Sequence, residues 1–288
     1  MPEKVPAFKR IAIVMHPNLA GGCEEADLIK PFLHQQGVEE VVASSIHDES
    51  LCARVKNGDF NLIISLGGDG TVLRAAHLAA PAGIPLLGIN LGRSGFLMEV
   101  GRQDWKEYLP RLFSGKYRLE ERMMLTTAHF RGDQKLGEWE VVNEVVVCRG
   151  QHVRPINLTA RVDGYPLAGY LADGLIVATP TGSTAYALAV GGPVMPPELR
   201  SILIVPVAPH LSLDRAIILP ESVVVEVRVT SRHEAVLSVD GQDPRILEND
   251  DVIKVTSNPL SVHFVRFLDR GAFYRNITCS MERNSCPG

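Results

Sequence analysis

Short apolar runs separated by longer stretches of helical periodicity organise the first third of the chain. The runs at 11–15, 41–44, 62–66 and 84–90 have the length and composition of buried strands. Between them, 24–36 and 71–80 carry apolar residues at helical spacing, and Pro31 predicts a kink in, or a late start to, the first of these helices. Strands alternating with helices predict right-handed crossovers and a largely parallel sheet. A further helical stretch near 104–113 closes this region.

From about Met123 the pattern changes to many short β-rich runs. The clearest is 223–230, which alternates so that Val223, Val225, Val227 and Val229 share one face. Similar runs lie at 141–148, 157–162, 201–207, 235–239, 252–256 and 262–267, a spacing that predicts an all-β, sandwich-like second domain. The remainder from Leu268 is polar.

Composition narrows the chemistry. A 288-residue chain with 45% hydrophobic and 22% charged residues has the make-up of an ordinary globular protein. Its formal net charge of −4 argues against a broadly basic nucleic-acid surface, so an anionic ligand would be held by local arginines and backbone N–H groups. Five scattered cysteines without a CxxC pair read as free thiols of a reducing cytosol. The nine histidines form no HExxH, and no Cys and His fall at zinc-ligand spacing, so no protein-bound metal site is expected. No run approaches the ~18 apolar residues that span a membrane, and the start is not a signal-peptide core. The expectation is a soluble, cytoplasmic protein, and Asn276-Ile277-Thr278 is read as a chance sequon.

Four segments carry candidate chemistry. A strand-like run leads directly into Gly67-Gly68-Asp69-Gly70-Thr71 and then a helix, which places backbone N–H groups around a helix N-terminus suited to phosphate. The glycines permit positive φ and close ligand approach, and Asp69 would project into the crevice at the strand's carboxyl end. A tight strand–helix turn capped by Asp69 or Thr71 explains these five residues equally well. Neither a GK[ST] phosphate loop nor a full GxGxxG is present. The next strand ends in Gly88-Ile89-Asn90-Leu91-Gly92-Arg93-Ser94-Gly95-Phe96-Leu97, where Arg93 could meet phosphate and Phe96 could pack on a base. A third segment, 173–186, runs from Asp173 through a strand into the hydroxyl-rich Thr179-Pro180-Thr181-Gly182-Ser183-Thr184 and a small-residue helix at 185–190, with Tyr186 as a flat ring for stacking. The fourth is Asn143-Glu144, two polar residues amid valines that a strand would put on opposite faces unless a bulge or strand end presents both. Asp240-Gly241-Gln242 reads as a hairpin turn.

Together these segments resemble the NAD kinase family: GGDGT at 67–71, GINLGRSGFL at 88–97, NEVVV at 143–147, DGLIVATPTGSTAY at 173–186 with GGP at 191–193, and SVDGQ at 238–242, all in order. GGDGT alone is shared with lipid kinases and more loosely with phosphofructokinases. The TPTGSTAY segment is far more specific. The resemblance implies a Rossmann-like α/β N-terminal domain with a mostly parallel sheet, an all-β sandwich-like C-terminal domain, and NAD bound between them. Domain limits of 1–120, completed by 268–288, and 121–267 follow. It also implies homodimers or homotetramers, and a divalent cation such as Mg²⁺ arriving with the phosphoryl donor, ATP or polyphosphate.

By the same resemblance, Asp69 matches the acid that accepts the ribose hydroxyl proton. Gly68, Gly70 and Arg74 match its neighbours in the nucleotide site, and Phe96 matches a ring lining the adenosine pocket. Asn143 and Glu144 match the pair that holds the dinucleotide, and Asp173 the carboxylate before the hydroxyl loop. Thr184, Ala185, Tyr186, Ala187, Leu188 and Ala189 match the stretch that closes on NAD, while Arg154 and Gln242 are looser matches. Departures are Val142 in place of a second Asn, Ser94 for a commoner Leu, and Ala187 and Ala189 for frequent serines. Members restricted to ATP tend to have arginine where this chain has Leu171, which leaves polyphosphate open as donor. The implied reaction is phosphorylation of the 2′-hydroxyl of NAD's adenosine ribose. A lipid kinase sharing GGDGT, or a non-catalytic NAD(P) sensor, are the alternatives.

Overall fold

A computed structural model describes residues 8–19, 21–92, 95–210, 212–275 and 277. Arg93, the sequon's Asn276 and Thr278, Cys279 and Cys286 lie outside the described residues. The chain divides into two compact units: one holds the described residues up to Glu121 and from Val262 onward, the other is Arg122–Ser261.

In the first unit, β1 (Arg10–Met15), β2 (Glu40–Ser45), β3 (Leu62–Gly67) and β4 (Leu86–Asn90) make a parallel sheet in the order β2-β1-β3-β4. The two-residue β5 (Val100–Gly101) pairs with β4. Helices α1 (Gly22–Gln35), α2 (Glu49–Lys56), α3 (Asp69–Ala79) and α4 (Trp105–Phe113) supply the crossovers and cover. Ile11, Ile13, Leu62, Ile64, Leu66 and Ile89 are buried in one cluster with Ile29, Leu33, Trp105, Leu109 and Leu112. Burial on both faces is why β1, β3 and β4 read as unbroken apolar runs, whereas β2, at the sheet edge, is half-buried throughout. Strands β2 and β3 flank β1 on opposite sides, so the chain changes direction across the sheet between β1 and β3. That switch point opens a crevice at the carboxyl ends of the strands, where Gly67 and Gly68 lead into α3.

Pro31 does not delay α1: the helix starts at Gly22 and continues through it to Gln35. The proline is exposed, and the carbonyl it leaves unpaired belongs to Asp27, also exposed, where water can serve it.

The second unit is a sandwich of two sheets. Its strands are β6 (Arg118–Arg131), which begins in the first unit, β7 (Gln134–Val141), β8 (Glu144–Arg149), β9 (Ile156–Val162), β10 (Tyr165–Ala172) and β11 (Gly174–Ala178). They continue with β12 (Ser201–Val207), β13 (Ile217–Pro220), β14 (Val225–Val229), β15 (Ala235–Val239), β16 (Arg245–Leu247) and β17 (Val252–Arg266), which ends in the first unit. One sheet runs β13-β12-β11-β8-β15-β16, antiparallel throughout. The other contains β10-β9-β14-β17, with Val225, Val227 and Val229 buried as their alternation requires. Both sheets contribute to one core, which joins Val145, Val147, Leu175 and Ile204 to Leu158, Val227 and Ile253.

The first of these sheets is also covered on its outer face, where Val146, Ile176, Leu203 and Val205 pack with Ala187 and Met195. Double burial explains the run Val145-Val146-Val147, which shows no alternation. Two expectations change here. The run at 141–148 is not one strand: β7 stops at Val141 and β8 starts at Glu144. The runs at 252–256 and 262–267 belong to a single strand, β17, which passes through Asn258-Pro259. Among the described residues, no helix is long and apolar enough to cross a membrane.

Candidate functional site

In the first unit the candidate residues gather around the turn between β3 and α3. Asp69 is the first residue of α3, and Gly68 before it is extended with no side-chain cap. None of Gly67, Gly68 and Gly70 adopts positive φ. Close approach is what matters at Gly67, where a Cβ would stand 2.4 Å from the Thr71 hydroxyl oxygen. The Asp69 carboxylate does not cap its own helix. It accepts from the backbone N–H groups of Phe96 at 3.0 Å and Leu97 at 3.3 Å. The chain comes so near that a Cβ at Gly95 would lie 2.2 Å from a carboxylate oxygen, so any side chain there would push the Asp69 carboxylate out of its place. Phe96 is half-buried. Arg74 is exposed on α3, and its guanidinium meets His47 Nε2 at 2.9 Å, just past the end of β2. The His47 ring stands edge-on to that of His16.

In the second unit Asn143 and Glu144 sit where β7 gives way to β8. One carboxylate shapes that turn: Asp240 accepts from the backbone N–H groups of Val142 at 2.7 Å, Asn143 at 2.8 Å and Glu144 at 2.8 Å. Asp240 opens the turn from β15 to β16, and it and Gly241 both have left-handed backbone (φ 48° and 69°). Aspartate tolerates that conformation. From the other side the Thr179 hydroxyl donates to the Val142 carbonyl at 2.6 Å, and the Thr179 N–H donates to the Asn143 carbonyl at 2.9 Å. Gly182 completes the contact, since a Cβ there would stand 2.1 Å from the Asn143 carbonyl oxygen.

This packing leaves two polar side chains at the end of an apolar strand. Glu144 is only 7% exposed. Burial, with the Asp240 carboxylate next and against a hydrogen bond from the Tyr186 amide, pushes its pKa up to about 8. At neutral pH it is mostly a protonated acid, able to donate as well as accept. Among the described residues, Asn143 Oδ1 and Glu144 Oε2 have no hydrogen-bond partner. Buried polar atoms are normally paired, so these two orphans single out the β7–β8 turn as a candidate contact point.

The stretch 184–189 follows as a short 3₁₀ turn (Gly182–Thr184) and α5 (Tyr186–Ala189), shorter than the helix expected over 185–190. The Thr184 hydroxyl donates to the Thr181 carbonyl at 3.0 Å, and the Ala185 N–H to the Gly182 carbonyl at 2.9 Å. Tyr186 is 43% exposed and burial raises its pKa. Ala187 is buried in the core, Leu188 is half-buried and Ala189 is exposed. Asp173, between β10 and β11, pairs with Arg149 Nε at 3.1 Å. Gln242 shares the Asp240 turn through its N–H bond to the Val239 carbonyl at 2.9 Å. Arg154 lies exposed before β9, and among the described residues no hydrogen bond joins it to the Asn143–Glu144 turn.

The sequence places Thr179 in a hydroxyl-rich candidate segment and Asp240 in a hairpin turn, but their part in holding the Asn143–Glu144 turn was not legible, because those partners lie far off in sequence. Asp240→Asn is expected to destabilise the protein by about 2–3 kcal/mol, since an amide cannot accept from three N–H groups and its NH₂ would face one of them. Urea unfolding measures this. The same substitution removes a negative neighbour and so brings the Glu144 pKa down.

The candidate segments recur in known proteins. Residues 11–117 match the family model described as the ATP-NAD kinase N-terminal domain, and residues 142–267 match the ATP-NAD kinase C-terminal domain. The chain is 41% identical over 279 residues to the NAD kinase of Heliobacterium modesticaldum, covering 95% of this chain and 98% of that one. It is 40% identical over 279 residues to that of Chloroflexus aggregans, covering 96% and 100%. Among solved structures, yeast NADH kinase complexed with NADH superposes with a TM-score of 0.84 at 25% identity, covering 98% of this chain and 90% of that one. The fold is also that of the NAD kinase from Archaeoglobus fulgidus in complex with ATP, at TM-score 0.74 and 24% identity, covering 95% and 99%. With both family models matched and such relatives along nearly its whole length, the chain belongs to the NAD kinase family.

Proposed function

We propose that this NAD kinase phosphorylates the 2′-hydroxyl of NAD's adenosine ribose to give NADP, with Asp69 as general base. The observation that carries the base assignment is the fixed Asp69 carboxylate at the start of α3. A carboxylate has about four lone-pair sites. Two of them accept from Phe96 and Leu97, which sets the direction of the rest for a ribose hydroxyl. As the 2′-oxygen bonds to the donor's terminal phosphorus, the bond to the leaving oxygen breaks and the hydroxyl proton passes to Asp69. Phosphoryl transfer needs positioning and charge neutralisation more than covalent help from the protein.

Gly68 and Gly70 let the nucleotide approach, Arg74 offers a cation, and Phe96 offers a ring to the adenosine. Asn143 and Glu144 hold NAD hydroxyls, Glu144 as a neutral acid. Asp173, Thr184, Ala185, Tyr186, Leu188, Ala189 and Gln242 complete the NAD contacts, with Ala187 packed in the core beneath them, and Arg154 contributes a peripheral charge. Among the described residues, no three His, Cys, Asp or Glu side chains converge to form a cation cage. A divalent cation arrives with the donor's phosphates, which bring their own oxygen ligands. The donor is ATP or polyphosphate, and the uncharged Leu171 on β10 is compatible with both. The assembly is a homodimer or homotetramer, and the protein acts in the cytoplasm.

The test is NADP formation by the purified protein with Mg²⁺ and either ATP or polyphosphate. NADP is expected with at least one donor. A protein that binds NAD but forms no NADP with either overturns the proposal.

A further inference from the structure

The Asp69 carboxylate takes its direction from the 95–97 loop, and that loop is held from behind. The Leu97 peptide faces both ways: its N–H donates to Asp69, and its carbonyl accepts from Arg266 Nη1 at 2.8 Å. Arg266 ends β17 and is only 3% exposed. Its Nε donates to Glu120 Oε1 at 3.0 Å, and Glu120 is 5% exposed. The second Glu120 oxygen accepts from Arg118 at 3.0 Å, while Arg118 Nε donates to the Leu268 carbonyl at 3.1 Å. Two residues beyond Leu97, Glu99 accepts from the N–H groups of Phe267 at 2.9 Å and Leu268 at 3.2 Å.

We infer that Arg266, oriented by Glu120, is a positioning residue for phosphoryl transfer, acting through the Leu97 peptide to hold the Asp69 carboxylate in place. The inference rests on Asp69 being the base. It accounts for an arginine rather than any buried cation. Two nitrogens of one rigid, planar fork are used in different directions, one on the Glu120 carboxylate and one on the Leu97 carbonyl. An ammonium offers its three donors from one atom on a flexible stem, so it does not fix the two acceptors in the directions that the planar fork imposes. Charge neutralisation of Glu120 needs only a cation, whereas aiming the loop needs the fork.

Arg266→Lys separates the two roles. It keeps the charge beside Glu120 and is expected to melt within a few degrees of the unsubstituted protein. Its kcat for NADP formation is expected to fall about 10- to 100-fold, the penalty of a base displaced by a fraction of an ångström to one ångström. The KM for NAD should stay within about twofold, because the residues assigned to NAD are untouched. A lysine variant with restored melting and restored kcat overturns the inference, as does a KM that rises as much as kcat falls.

Glu120→Gln is the second variant, since it retains an acceptor for Arg266 Nε but weakens its orientation. It should lower kcat several-fold at unchanged KM, and if Arg266→Lys does not fold, an unchanged kcat in Glu120→Gln overturns the inference. Asp69→Asn separates the two failures. If Asp69→Asn is fully active, the base reading falls. If it is inactive while both Arg266→Lys and Glu120→Gln are fully active, only the positioning role falls. In the Asp69→Asn background, Arg266→Lys should add little further loss.

Discussion

Asp69→Asn is expected to lower kcat for NADP formation by ~10²–10⁴, the range lost when a general base is removed. Asparagine is nearly isosteric. Its amide oxygen can still accept from one of the two N–H groups, Phe96 or Leu97, that now hold the carboxylate. Its NH₂ faces the other and can accept no proton from a ribose hydroxyl. The loss should therefore appear in kcat, with KM for NAD changed only a few-fold. Steady-state kinetics beside a melting curve give the answer. A folded Asp69→Asn protein that keeps more than about a tenth of the turnover removes Asp69 from the role.

Glu144 sets a second large effect, on stability. Its pKa is raised from 4.5 to about 8 in the folded protein, chiefly by burial. Between those values the folded state holds a proton that the unfolded state has lost, so stability falls as pH rises through that window. Below pH 4.5 both states are protonated and the group contributes nothing; above pH 8 the full cost is present. At 1.36 kcal/mol per unit, that cost is roughly 4–5 kcal/mol. Glu144→Gln, which cannot ionise, should be more stable than the unsubstituted protein by about that much at pH 9, and by less than ~1 kcal/mol at pH 5. Urea unfolding at the two pH values measures the difference, and a gap independent of pH would refute the assignment. A glutamine also donates and accepts as the protonated acid does. The KM for NAD should then rise above pH 8 in the unsubstituted protein and stay flat in Glu144→Gln.

Wherever a local period or a motif carried the information, the chain could be read directly. The runs at 11–15 and 62–66 lie within β1 and β3, because strands buried on both faces need continuous apolar sequence. The alternation at 223–230 marks β14, buried on one face only. The family was legible because GGDGT and TPTGSTAY keep their order along the chain. Boundaries were less so. Pro31 argued for a disturbed helix, yet its exposed position let α1 continue through it.

What the sequence determined by itself is thus an α/β region followed by a β sandwich, a family, and Asp69 as an acid on a glycine turn. Only the tertiary structure decided how the chemistry is held. It broke the run at 141–148 between Val141 and Glu144 and pinned the break with Asp240, 97 positions from Asn143. It turned Asp69 toward the amides of Phe96 and Leu97 rather than its own helix, and put Arg266, 169 positions from Leu97, behind that loop. The reason is physical. Periodicity records which face of an element is buried, a property of neighbours in sequence. A carboxylate's choice among backbone N–H groups depends on which chain segments folding brings beside it, and no local pattern encodes that.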